Sequence, residues 1–179
     1  MDNKENGLLQ PKCDSEYLKH LNVDGKLNIS NTKVTELPND LTLTFLWAFH
    51  SSLKQLPKNL VVFNVLNIKY TPIKSVLSDC LARVIFCDFE LNDERYEKKY
   101  DYYQLKKDIV HIYHPSGREF LHIDNVLSEV IEKKGNVYYA RYGVNDAVTY
   151  IVTDGNEHCG YGDTLEDAEE DFFYQSSKR

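Results

Sequence analysis

An internal repeat constrains this chain more than any other feature. Leu37-Pro38-Asn39-Asp40-Leu41 recurs nineteen residues later as Leu56-Pro57-Lys58-Asn59-Leu60. The preceding apolar positions follow the same step. Leu27, Ile29, Val34 and Leu37 map onto Leu46, Ala48, Leu53 and Leu56. A third copy stands twenty residues further on, with Leu66, Ile68, Ile73 and Val76, and with Thr71 repeating Thr32. There Leu77 replaces the proline and Cys80 the closing leucine. A fourth copy begins at Ile85, Phe86, Cys87 and Asp88, and Tyr17-Leu18-Lys19-His20-Leu21 reads as a degraded leading turn. Self-similarity at this period is the signature of a stacked-coil solenoid.

Each copy reads L-x-I/A-x-x-x-x-V/L/I-x-x-L/V. The opening L-x-I has period two, a short strand with both side chains facing inward. Pro38 and Pro57 lack an N–H and are excluded from a sheet ladder, so they belong to the irregular return. One coil cannot bury its own apolar stripe, which is why the unit repeats and why its ends need covers. A fully buried Leu or Ile contributes roughly 1.5–3 kcal/mol. Four or five of them about balance the backbone ordering of one coil, at roughly 1–2 kcal/mol per residue. The expected fold class is α+β, mainly β. A leucine-rich-repeat solenoid of three to four parallel coils spans 27–90, behind an N-terminal cap at 1–26. A charged, Tyr-rich connector over 91–106, read as a linker or short helix, leads to an antiparallel sheet with one helix over 107–179.

The strands of that second part are expected at Ile109–Tyr113, Phe120–Ile123, Leu127–Lys133, Val137–Tyr142 and Ala147–Thr153. Lys134-Gly135-Asn136 is a hairpin signal, and Asp154-Gly155 marks another turn. Thr164-x-x-Asp167 resembles a capping box at a helix start. Leu165, Ala168 and Phe172 share one helix face, and Glu166, Glu169 and Glu170 lie on the other.

The repeat carries a resemblance. Its Leu-Pro-x-x-Leu coil with the step Ser30-Asn31-Thr32-Lys33-Val34 resembles small leucine-rich-repeat proteins of phages and prophages. Residues 107–174 resemble the module that follows the repeats there, through Leu127–Tyr138, Tyr150–Gly155 and Gly162–Ala168. The two matches together cover about 150 residues. Tyr161 stands where members of that family often carry His. The repeats are also similar to those of secreted bacterial leucine-rich-repeat ubiquitin ligases. Those enzymes place a catalytic Cys in a large helical domain, whereas the ninety residues left here read as strands. The phage resemblance implies origin and fold more than chemistry.

Charge narrows the partner class. The net charge of −7 falls entirely in residues 91–179, which carry eleven Lys/Arg against eighteen Asp/Glu. An acidic half opposes binding to a phosphate backbone, so no nucleic acid is expected as a direct partner. It permits docking on a basic protein surface. No run approaches a membrane-spanning length. The polar start Met1-Asp2-Asn3-Lys4-Glu5-Asn6 is no signal peptide, and Cys13, Cys80, Cys87 and Cys159 form no CxxC. A bacterial cytoplasm with free thiols is the expected setting.

Chemistry-bearing groups are sparse. His158-Cys159 lies between glycine-bearing turns, and a Cys beside a His suggests a nucleophile for a hydrolase or transferase. No orienting third group is evident. His111-x-x-His114 would face opposite sides of a strand, so solvated histidines rather than metal ligands are expected. Gly160-x-Gly162 lacks the lysine and spacing of a phosphate loop. No metal or cofactor is expected. The expected function is non-enzymatic binding of a bacterial host protein, with inhibition of a CRISPR- or restriction-type defence component. A hydrolase or transferase using Cys159, or a structural virion protein, is the alternative. Candidate contact residues on the strand face are Asn28, Ser30, Trp47, Phe49, Asn67 and Lys69. Trp47 and Phe49 read equally as buried beneath the C-terminal sheet. Tyr100, Tyr102 and Tyr103 in the connector and Glu166, Glu169 and Glu170 on the helix complete the set.

Overall fold

The structure is a computed structural model that describes residues 19–22, 24–107, 111–144, 148–155 and 158–178. Most of the expected N-terminal cap lies outside the described residues. The repeat forms four parallel strands: β1 (Lys26–Asn28), β2 (Thr42–Trp47), β3 (Val61–Asn67) and β4 (Leu81–Phe86). Their register stacks Leu27, Leu46, Leu66 and Ile85 in one column. The inward positions just beyond continue the ladder. Ile29 N donates to Trp47 O at 2.8 Å, Ala48 N to Asn67 O at 2.8 Å and Ile68 N to Phe86 O at 2.9 Å. Leu27, Leu46 and Leu66 are fully buried, as are Ile29, Ala48 and Leu53. About three turns of stacked coil result, with one continuous apolar interior.

Each coil leaves its strand through a residue in the left-handed region. Asn31, His50 and Tyr70 occupy equivalent positions with φ of +58°, +54° and +58°. Asn tolerates this conformation, while His and Tyr adopt it at a cost. The neighbouring coil offsets that cost. His50 N donates to Lys69 O at 3.1 Å, Tyr70 N donates to the Asp88 carboxylate, and the His50 and Tyr70 rings stack at 4.7 Å. At the leading end Leu21 makes an antiparallel bridge to Leu27, so residues 19–22 cover the first coil rather than adding another parallel one.

The expected connector is neither linker nor helix. β5 (Tyr96–Lys98) and β6 (Tyr103–Leu105) form an antiparallel hairpin joined to β4, which extends the solenoid sheet to six strands. Tyr96, Tyr103 and Leu105 turn inward and lie within the solenoid core. The buried Tyr96 hydroxyl donates to Ala82 O at 2.9 Å and accepts from Ala82 N at 3.1 Å. Burial of these rings outweighs the charged residues between them, which point outward.

The second sheet has the order β12-β11-β10-β9-β8-β7, all antiparallel. Its strands are β7 (His111–Tyr113), β8 (Glu119–Ile123), β9 (Val126–Lys134), β10 (Val137–Arg141), β11 (Val148–Thr153) and β12 (Cys159–Gly162). β12 lies outside the five strands expected from the sequence, in the stretch between the glycine-bearing turns. Helix α1 (Leu165–Ser176) follows it, and Thr164 Oγ1 accepts from Asp167 N as the capping pattern requires. Ala168 is buried against β12, while Leu165, expected on the same apolar face, is 38% exposed.

The two sheets share a core. Between Val62 and Val65, β3 bulges relative to both neighbouring strands. A bulge re-aims side chains. Here it turns Phe63 toward Phe120 of β8, with ring centroids 6.4 Å apart. Ile112, Phe120 and Leu127 thereby join the solenoid core. Arg118 Nη1 donates across the junction to Thr42 Oγ1 at 2.9 Å.

Candidate functional site

Cross-strand partners place the outward residues of β1–β4 and β6 in rows. Phe45, Val65, Val84 and Gln104 make one row; Asn28, Trp47, Asn67 and Phe86 make the next. Trp47 is half-buried and stacks on Phe45, with centroids 4.9 Å apart and planes at 9°. Phe86 packs on Tyr102 at 5.3 Å. The row of Trp47 therefore presents one aromatic ring between two amides and a second, Phe86, beyond Asn67. Asn28 Oδ1 accepts from Ser30 N at 3.1 Å, and Asn67 Oδ1 accepts from Lys69 N at 3.2 Å. These turns hold each carboxamide at a strand end, with its amide NH2 making no hydrogen bond among the described residues.

The sequence-derived contact residues divide. Asn28 is exposed, and Ser30, Trp47, Phe49, Asn67 and Lys69 are half-buried on the strand face. The second sheet meets the solenoid core through Phe63 and Phe120, while among the described residues the ring partner of Trp47 is Phe45. Phe49 instead packs edge-on against His50 at 4.4 Å and Tyr70 at 5.6 Å. Lys69 is ion-paired to Asp101 at 3.0 Å and lies over the Phe86 ring. Tyr100 is fully exposed and Tyr102 half-buried. Tyr103 is 6% exposed and leaves the contact set, because the β5–β6 hairpin turns it into the core. Glu166, Glu169 and Glu170 are exposed on α1, away from this face. Phe45, Phe86, His50 and Tyr70 were missed. Extending the period-two alternation one step before Trp47 would have reached Phe45.

The turn between β8 and β9 reaches over the same face, where Gln104 Nε2 donates to Asn125 Oδ1 at 2.8 Å. A corner cavity of about 250 Å³ opens beside it, lined by Thr44, Phe63, Asn64, Val126 and Tyr142. Val126 and Tyr142 are 42% and 46% exposed, which gives the strand face an apolar wall.

The other candidate chemistry has different partners. His158 Nδ1 lies 2.8 Å from Asp154 Oδ2. The Cys159 thiol instead faces Asp124 Oδ2 at 3.5 Å, and the Tyr161 hydroxyl donates to the same carboxylate at 3.3 Å. Burial, together with the Asp124 and Asp171 charges, pushes the Cys159 thiol up to about 11. A thiol held protonated is a poor nucleophile at neutral pH. Among the described residues no group of three His, Cys, Asp or Glu is arranged to hold a metal ion. No helix among them is long and apolar enough to cross a membrane.

The histidines at the sheet junction are buried rather than solvated. His114 Nε2 lies 2.8 Å from Asp79 O, and His122 Nδ1 3.1 Å from Lys106 O. Both are under 5% exposed. Burial lowers both from the ordinary value of 6.5, against the partial opposition of those carbonyls. The folded protein takes up protons on these rings at lower pH than the unfolded chain, which does so below 6.5. Stability is therefore complete above that pH and falls as pH drops through it. Glu129 adds a second acid limb. Burial alone would raise its carboxyl, but hydrogen bonds from Arg118 and Arg141, each 2.6 Å, outweigh it and hold the group below 4.5. Urea midpoints should fall between pH 7 and 5.5, and again below 4.5. A His114→Gln, His122→Gln double variant should flatten the first fall and leave the second. An unchanged first limb would show that these rings do not titrate with folding.

No protein-family model, curated protein or solved structure matches this chain.

Proposed function

We propose that this chain is a non-enzymatic protein-binding module, with the strand face of the solenoid as its contact surface. The observation that most supports this reading is the half-exposed Phe45–Trp47 stack, in which Trp47 lies between two carboxamides whose amide N–H groups donate to no acceptor among the described residues. Large, rigid, half-desolvated aromatic rings beside hydrogen-bond donors are the composition of binding hot spots. A fold of stacked strands also offers such a surface at low ordering cost, because its backbone is already fixed. Following the resemblance of the repeat, the partner is proposed to be a bacterial host protein in the cytoplasm, such as a defence component that binding inhibits. The exposed Glu166, Glu169 and Glu170 favour a partner with a basic surface nearby.

Trp47→Ala is the test. The tagged chain, purified from bacterial cells, should retain a specific host protein that mass spectrometry identifies and whose activity it lowers. Trp47→Ala should weaken that capture about thirtyfold or more, in the range of hot-spot truncations, with the far-ultraviolet spectrum unchanged. Full capture by a folded Trp47→Ala protein would end the assignment of this face. Cys159→Ala should leave inhibition intact, and its loss in that variant would favour the enzyme reading instead.

A further inference from the structure

We propose that the strand face takes a proline-rich segment in the polyproline II conformation, laid across β1, β2 and β3 over Trp47. This rests on the reading of that face as the contact surface, and it names the chemistry of what is bound.

The case begins with the hydrogen-bonding groups. Asn28, Trp47 and Asn67 lie side by side on adjacent strands. Both asparagine oxygens are engaged by Ser30 N and Lys69 N. The two amide NH2 groups and the indole N–H donate to no acceptor among the described residues, and none of them is a buried orphan. The nearby carboxylates already have donors within the protein: Asp88 accepts from Tyr70 N and Asp101 from Lys69 Nζ. The row thus offers donors and asks for acceptors. A β-strand peptide or a sugar brings its own N–H or O–H donors, for which the row offers only the second lone pairs of the two amide oxygens. A proline tract has carbonyls and no N–H, so it leaves nothing unmatched.

Spacing agrees. Adjacent strands lie about 4.8 Å apart, so the two asparagines, two strands apart, stand about 9.6 Å from one another. A polyproline II helix rises about 3.1 Å per residue with three residues per turn, or about 9.3 Å per turn. Carbonyls one turn apart therefore meet both amides, and a prolyl ring between them falls on Trp47. Aromatic-lined grooves are the usual seat of such segments, because the ligand is already ordered before it binds. Phe45 fixes the tilt of the Trp47 ring by stacking behind it.

Trp47 is the single tryptophan of the chain, so its emission reports this face alone. The full chain is titrated with acetylated, amidated deca-proline. In parallel it is titrated with a Val/Thr peptide and a Gly/Ser peptide of equal length. A saturable emission change is expected with deca-proline only. Asn67→Asp keeps an oxygen for Lys69 N but replaces the outward donor with an acceptor, and it should weaken deca-proline binding roughly tenfold. No saturable change at millimolar deca-proline overturns the proposal, and so does an equal response to the Val/Thr peptide or an unaffected Asn67→Asp variant. The Trp47→Ala capture experiment separates the two readings. If deca-proline fails while Trp47→Ala still loses its host protein, the face is the contact surface and the ligand class is wrong. If deca-proline binds and capture survives Trp47→Ala, the proline site stands and the captured protein is held elsewhere.

Discussion

Leu46→Asp should leave the chain without a cooperative unfolding transition. Leu46 is fully buried, with Leu27 and Leu66 as its register neighbours on either side. A carboxylate there has no cationic partner and costs several kcal/mol even after relaxation, or drives its own protonation. Total stability of a domain is about 5–15 kcal/mol. The loss also spreads, because the coils of a solenoid depend on their neighbours and the same core reaches Phe120 and Leu127 of the second sheet. Leu46→Ala grades the effect and should cost about 2–5 kcal/mol. Lys54→Asp, an exposed change in the same coil, should stay within about 0.5 kcal/mol. Urea titrations followed by far-ultraviolet circular dichroism measure all three. A cooperative Leu46→Asp transition near the wild-type midpoint would mean that the column is not a continuous core.

Gly160→Ala should loosen the packing of α1 on the sheet. A methyl group at Gly160 would stand 2.2 Å from Phe172 N and 2.3 Å from Ala168 O. Both are helix backbone atoms, and no rotamer change can move them aside. Either α1 lifts off β12 or the edge strand shifts, and overpacking of this kind costs about 1–3 kcal/mol or more. Gly162 is also close to the helix, with Ala168 N 2.5 Å from its added carbon. The two glycines, on the same face of β12, form a flat seat on which the helix rests. Limited proteolysis should cut Gly160→Ala after residue 162 at protease levels that spare the wild type, while the solenoid fragment survives. Equal resistance would show that the helix accommodates the methyl group.

Those glycines show why part of the chain was legible and part was not. The coil positions could be read because Leu, Ile and Val recur at one spacing, and each occurrence repeats the same burial. The hairpin at Lys134-Gly135-Asn136 and the Thr164 cap were legible because their chemistry is local. At Gly160 and Gly162 the residue type signals a turn, yet what it supplies is room for a helix that arrives later in the chain. β5 and β6 are three residues each, too short for alternation to stand out among Glu97, Lys98, Lys99 and Asp101. Their inward Tyr96 and Tyr103 look like surface aromatics until β4 is beside them. The bulge that turns Phe63 to Phe120, and the burial of His114 and His122, depend on contacts between the two sheets that no spacing encodes. The Trp47 row was half legible. Its members follow from alternation, but the engagement of the two amide oxygens needs the turn geometry.

The β5–β6 hairpin also decides how the molecule can be lengthened. It occupies the hydrogen-bonding edge of β4 that a further coil would need. A duplicated unit appended after Asp88 would have to evict the hairpin and strip the cover from Cys80 and Ile85. The same unit inserted between Trp47 and Val61 would find a matching neighbour above and below. Growth of this stack, by recombination or by design, proceeds from its middle.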